Sequence, residues 1–145
     1  MGANGIDRDM PLECAPFYSA HQSVILIMKL SDFLHKLNTA PDTVEFSDTM
    51  AVIEALYRFT PTAFTNGSLV NHVGQNSGSC KLFAFARLQG FDTAQTLACF
   101  GAYYRNDVLL NLAGSDHQNI RNFMRTGWDG ISFAAAALAA HVTSV

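Results

Sequence analysis

Asn71-His72-Val73-Gly74-Gln75-Asn76-Ser77-Gly78-Ser79-Cys80-Lys81-Leu82-Phe83-Ala84-Phe85 joins a polar, glycine-bearing loop directly to an almost wholly apolar segment. A serine at the junction, Ser77 or Ser79, is expected to open a helix, because its hydroxyl can accept from the unpaired N–H groups of a first turn. Leu82 to Leu88 is apolar on nearly every face, as suits a helix buried in the middle of a domain. Cys80 falls in the first turn whichever serine caps. There the helix dipole and free N–H groups favour a thiolate over the usual pKa of about 8.5. The loop is therefore expected at the mouth of a pocket.

Upstream, Asn66-Gly67 stands between Ala63-Phe64 and Leu69-Val70, a strong hairpin signal because both turn positions need positive φ. A two-residue loop there pairs Phe64 with Leu69 and Ala63 with Val70. Such a hairpin is marginal alone and must lie against helices. Further back, Ser31 is expected to cap a helix with Leu30, Phe33, Leu34 and Leu37 on one stripe, ending near Asn38 before Pro41. Asp42 and Glu45 have capping-box spacing, with Ser47 as a competing helix start that would leave Val44 to Phe46 extended. Met50, Ile53, Leu56 and Tyr57 then carry a helical stripe to Phe59, where Thr60-Pro61 stops it.

Downstream, Gly90 supplies a left-handed stop. Asp92 to Gln95 forms a capping box for a helix carrying Leu97, Phe100, Gly101 and Tyr104. Ser115 to Gln118 forms another, for a helix with Ile120, Phe123 and Met124, ended by Gly127 with Trp128 packed after it. Ile131 to Phe133 reads as extended, and Ala134 to His141 as an alanine-rich helix. The expected fold is mainly α with one β-hairpin, a small α+β architecture in a single compact helical domain. The alternative is a mixed sheet in which Val44 to Phe46 and Ile131 to Phe133 join the hairpin.

The chain has 145 residues, 49% of them hydrophobic and 14% charged, enough to fill the core of one domain. Its net charge of −3 gives no general attraction for nucleic acid or an anionic membrane. Three widely spaced cysteines form no disulfide framework, which favours a reducing compartment. The longest purely apolar run, Val24 to Met28, is far shorter than a membrane span. Asp7, Asp9 and Glu13 stand where a signal peptide would carry basic residues, so none is expected. Residues 1–28, punctuated by Gly2, Gly5, Pro11 and Pro16, read as a poorly ordered N-terminal extension, with Met28 an alternative start, and 29–141 as the domain.

Several linked motifs carry a family resemblance: Asp48-Thr49-Met50, Phe59-Thr60-Pro61-Thr62-Ala63-Phe64, Asn66-Gly67 and Gly78-Ser79-Cys80-Lys81. Phe83-Ala84-Phe85-Ala86, Phe100-Gly101, Tyr103-Tyr104-Arg105 and Asp107-Val108-Leu109 continue it. Asp116-His117, Asn119-Ile120-Arg121-Asn122-Phe123-Met124 and Gly127-Trp128 complete it. Over about residues 28–133 the chain resembles the HopJ family of type III effectors. The resemblance implies a bacterial protein, made in the cytoplasm and delivered into a host cell by a type III apparatus, where a host protein is the expected partner. It brings no catalytic residues.

The residues themselves offer two kinds of site. Gly78-Ser79-Cys80 before an aromatic-rich helix resembles the nucleophile segment of papain-like proteases, with Lys81 in place of the tryptophan. In that reading Cys80 is the nucleophile of a small thiol hydrolase or transferase, His117 or His72 its base, and Asn119 or Asp116 the group that orients the base. Gln75 is a candidate oxyanion donor. The bland reading is a buried structural cysteine. The second kind is a binding site. Arg105, Arg121 and Arg125 are candidates to hold a small anionic ligand; separately, Asn76 and Gln75 are candidate donors around a ligand, and Trp128 belongs to an aromatic set whose exposed part would be a binding surface. Solvated arginines paired to Asp107 or Asp129 are the ordinary alternative. Neither Cys-x-x-Cys nor His-x-x-x-His occurs, so no metal and no cofactor is expected.

Overall fold

The structure, a computed structural model, describes residues 20–141. Helix α1 (Ala20–Thr39) buries Phe33 and Leu37 and half-buries Leu30 and Leu34, the stripe read from the sequence. It does not begin at Ser31, however. Residues 20–28 already belong to it, so the expected extension is helical over that part, while residues 1–19 lie outside the described residues. Ser31 is exposed mid-helix, where its hydroxyl has no first turn to cap.

A short 3-10 turn (Pro41–Thr43) leads into α2 (Phe46–Leu56), whose N-cap is Glu45. The capping box uses Glu45 and Asp48, not Asp42 and Glu45: the Asp48 carboxylate accepts from the Glu45 N–H at 3.0 Å. Pro41 fixes the turn before it, which moves the N-cap three residues on, from Asp42 to Glu45. The stripe also stops earlier than expected. Tyr57–Phe59 leaves the helix as strand β1.

β2 (Phe64–Asn66) and β3 (Leu69–Asn71) form the predicted hairpin, but with the turn one residue later, so Phe64 lies opposite Asn71 and not Leu69. Asn66 pairs with Leu69, and Gly67-Ser68 makes the turn with Gly67 at φ +61°. Asn66 shares the buried face of β2 with Phe64, and its amide donates to the Asn119 carbonyl at 2.8 Å and to Asn119 Oδ1 at 3.0 Å. A buried amide with partners is held in the strand; one in the turn would lose them.

Helix α3 (Ser77–Gln89) is the centre of the molecule, with every residue from Leu82 to Ala86 buried. Phe83 and Phe85 lie about 200° apart around the helix and serve two aromatic clusters. The Phe83 ring meets Phe64, Phe100, Phe123 and Trp128 at centroid distances of 6.2, 5.5, 5.0 and 6.3 Å. The Phe85 ring meets Phe33, Tyr57 and Phe91 at 5.8, 6.0 and 5.7 Å. Full burial of one such side chain is worth about 1.5–3 kcal/mol, so these two residues anchor both halves of the core.

Gly90 ends α3 at φ +73°, and α4 (Thr93–Ala98) starts on the Asp92–Gln95 capping box, both as read from the sequence. The helix does not continue through Tyr104. Gly101 turns the chain at φ +63°, where a Cβ would lie 2.6 Å from the Phe46 backbone nitrogen, and Tyr103–Val108 follows as a π-helix. α5 (Gln118–Thr126) begins two residues later than the Ser115 cap predicts. Its N-cap is His117 at φ +51°, and Gln118 binds back to the Ser115 carbonyl at 2.7 Å, so that box is open.

Gly127 ends α5, and Trp128 packs after it with its indole N–H donating to the Phe91 carbonyl at 2.8 Å. β4 (Ile131–Phe133) pairs antiparallel with β2, giving the sheet order β3-β2-β4. Ile131 to Phe133 thus joins the hairpin, as the mixed-sheet alternative has it, and Val44 to Phe46 does not. β5 (Leu138–Ala140) replaces the expected alanine-rich helix and pairs antiparallel with β1, Phe59 opposite Leu138 and Tyr57 opposite Ala140. Alanine's helix propensity is worth only tenths of a kcal/mol per residue, less than a ladder and the burial of Ala137 supply. The fold is α+β, with helices dominant and two small antiparallel sheets in place of one hairpin.

Candidate functional site

A cleft of about 380 Å³ opens where the loop after β3 and the start of α3 face the π-helix and the start of α5. Asn76, Gly78 and Ser79 form one wall; Tyr103, His117, Gln118 and Asn119 form the other. Phe46, Leu69, Phe100 and Ile120 supply apolar surface between them. The sequence places this loop at the mouth of a pocket, and the cleft lies there.

Two backbone features single the cleft out. Asn76 and His117 are the non-glycine residues with positive φ among the described residues, at φ/ψ of 51°/49° and 51°/51°. Each is the N-cap of its helix, and neither side chain caps it. The first-turn N–H groups of α3 and α5 are therefore left without a capping side chain. The π-helix that carries Tyr103 is itself a rare conformation, frequent at functional sites.

Four asparagines hold the two walls together. Asn71 Oδ1 accepts from Asn76 at 2.7 Å and from Asn119 at 3.0 Å, while Asn119 Oδ1 accepts from Asn66 at 3.0 Å and Asn71 at 3.1 Å. Asn66, Asn71 and Asn119 are buried. The opposite wall is aromatic. Tyr103 meets Phe46 at 5.3 Å and His117 at 5.2 Å, and His117 Nε2 lies 2.9 Å from Asp107 Oδ2 on the π-helix and 3.8 Å from Asp116 Oδ2.

Cys80 is not in this wall. It is 1% exposed, and its Sγ lies 3.8 Å from the Thr62 carbonyl oxygen. Its own N–H is spent on the Asn76 carbonyl at 2.9 Å. Burial pushes the thiol pKa up, with the Thr62 contact acting weakly the other way, so the expected depression is corrected. Desolvation outweighs the dipole because the side chain points into the core and away from the open first turn.

His117 and Asn119 both line the cleft, but Cys80 does not join them, and the carboxylate that meets His117 at hydrogen-bond distance is Asp107. Gln75 braces its own loop, its Oε1 accepting from the His72 N–H at 2.8 Å. His72 is exposed in that loop.

The three arginines are engaged separately and form no common pocket. Arg105 donates to the Val44 carbonyl at 2.9 Å and approaches Glu45 at 3.6 Å. Arg121 is 7% exposed; it binds Asp116 through a 2.5 Å ion pair and donates to the Asn111 carbonyl at 2.9 Å. The guanidinium holds the Asp116 carboxyl below its usual pKa. Arg125 donates to the Asn122 amide oxygen. Trp128 belongs to the core, under the Arg87 guanidinium at 5.1 Å. No group of three or more potential metal ligands occurs among the described residues.

Sequence reading missed Phe46, Ser79, Tyr103, Asp107 and Gln118 as site residues. Tyr103 was open to it in part: of the Tyr103-Tyr104 pair, Tyr103 is the one left 45% exposed. Which tyrosine turns outward depends on the π-helix, which leaves no local signal.

No helix of the described residues is long and apolar enough to cross a membrane. No curated protein matches the chain. A solved structure described as "Crystal structure of unknown function protein VPA0580" is similar, at 57% identity and a TM-score of 0.75, over 77% of this chain and 92% of that one. With a family model described as HopJ type III effector protein matching residues 30–138, this chain belongs to the HopJ type III effector family.

Proposed function

We propose that the protein acts as an effector by binding a host or cellular partner without turnover, and that the cleft between α3 and α5 is its contact. One observation carries the reading: two left-handed non-glycine N-caps and a π-helix converge on the same cleft. A left-handed non-glycine residue costs about 1–3 kcal/mol and persists where the surrounding structure holds it. Delivery by a type III apparatus is the route the family membership supports. The thiol-enzyme alternative gains nothing from the geometry, because its nucleophile is buried beside Thr62.

The test is quantitative pull-down from host extract with three proteins: the wild type, Cys80→Ala, and Ser79→Phe, which fills the cleft. Binding retained by Cys80→Ala and lost by Ser79→Phe, with both variants folded, is the expected pattern. Capture that survives Ser79→Phe, or disappears with Cys80→Ala, overturns it.

A further inference from the structure

The cleft has a chemical character that neither the family nor a generic binding role requires. One wall is aromatic, built from Tyr103 with Phe46 and His117 packed on it, and Tyr103 remains 45% exposed. Polar groups border the cleft on both sides, with a hydroxyl and an amide on the Asn76–Ser79 wall and a further amide, Gln118, on the wall of Tyr103. Ser79 Oγ, Asn76 Oδ1, Gln118 Oε1 and the second ring nitrogen of His117 have no hydrogen-bond partner among the described residues. Donors and acceptors are thus both available beside a half-exposed ring. The volume, about 380 Å³, lies in the range of about 300–1,000 Å³ typical of small-molecule sites.

We propose that the cleft binds a free planar heterocycle of the nucleobase type, its ring stacked on the Tyr103 side and its polar edge turned to Ser79, Asn76 and Gln118. This rests on the reading of the cleft as the binding site and names its ligand class. Stacking on an aromatic side chain suits any flat ring, since each presents a π-face. The mixed edge selects among flat rings: a lactam or aminopyridine-type edge offers the alternating donor and acceptor that amides pair with, and a phenyl ring does not. A nucleic-acid strand is a poorer fit than the free base or nucleoside. The chain carries a net charge of −3, its cleft is flanked by Asp107, and the arginines that would track a phosphate backbone already have partners, Arg121 its ion pair with Asp116 and Arg105 the Val44 carbonyl.

The experiment is a backbone-amide NMR titration of the full chain with adenosine, guanosine, cytidine and uridine, each to about 10 mM, with inorganic phosphate as a separate arm. Saturable shifts confined to Gly78, Ser79, Tyr103, Gln118 and Ile120 with at least one nucleoside are expected. Tyr103→Ala should weaken that binding at least about 5-fold and Tyr103→Phe should restore it, because the ring and not the hydroxyl does the stacking. Ser79→Ala, a milder change, should weaken it and alter the preference among the four. The proposal is overturned if no nucleoside shifts these amides, if phosphate alone shifts them, or if Tyr103→Ala binds as well as the wild type while folded. Partner capture lost by Ser79→Phe in a protein that ignores all four nucleosides would defeat the heterocycle and leave the binding role standing.

Discussion

The Cys80 thiol sits 3.8 Å from the carbonyl oxygen of Thr62, eighteen residues earlier in the chain, and is 1% exposed. A cysteine at the start of a helix is thereby turned from the open end of that helix into the packing between α3 and the segment before the hairpin. Its dipole environment favours the thiolate; its burial opposes it, and burial is the larger effect.

Iodoacetamide should therefore leave Cys80 of the native protein unmodified at neutral pH. Cys99, 0% exposed and pushed up to about 12, should behave the same way. Both should label at once on denaturation, as assigned by peptide mass spectrometry. Rapid native labelling of Cys80 with a half-maximal rate well below pH 8 would restore the thiol-enzyme reading.

Two left-handed glycines separate conformational cost from packing cost. At Gly90 (φ +73°) a Cβ would meet nothing within 4 Å, whereas at Gly101 (φ +63°) it would lie 2.6 Å from the Phe46 nitrogen and 3.0 Å from Glu45 Cα. Gly90→Ala should cost about 1–2 kcal/mol, the left-handed penalty alone. Gly101→Ala should cost about 1–3 kcal/mol more, because it must push α2 away from the turn before the π-helix. Urea unfolding measures both, and equal losses would contradict this account of Gly101.

Asp48 and Asp116 contribute to the acid limb of stability, modestly because both carboxyls are solvent-exposed. The Glu45 N–H, followed by Lys36 at 2.9 Å, lowers the Asp48 pKa from 3.8, and Arg121 lowers that of Asp116. A carboxyl more acidic in the folded than in the unfolded state contributes its full stabilisation above the unfolded pKa. It loses that contribution as pH falls through the folded value. Thermal melts should thus be flat in this respect above about pH 5 and fall below about pH 4. The Asp48→Asn/Asp116→Asn double variant should fall less steeply in that window. An identical acid slope in the two proteins would show that other groups govern it.

Local signals in the sequence were enough for much of the frame. The Asp92–Gln95 box, the left-handed stop at Gly90, the helix end at Gly127, the stripe of Phe33 and Leu37, and the burial of Leu82 to Ala86 on all faces each depend on neighbours within a turn or two. Short-range hydrogen bonds and hydrophobic period carry that information directly. What tertiary structure decided depends on partners far along the chain. Tyr57–Phe59 and Leu138–Ala140 become strands because they pair with each other across some eighty residues, against helical patterns in both. The hairpin register follows Asn66 because Asn119 is its partner. The cleft is the extreme case: Asn76 and His117 border one opening because Asn71 ties Asn76 before α3 to Asn119 on α5, and Cys80 is kept out of it by packing toward Thr62. A side chain's direction out of a helix is fixed by what the helix lies against, and no local pattern states what that is.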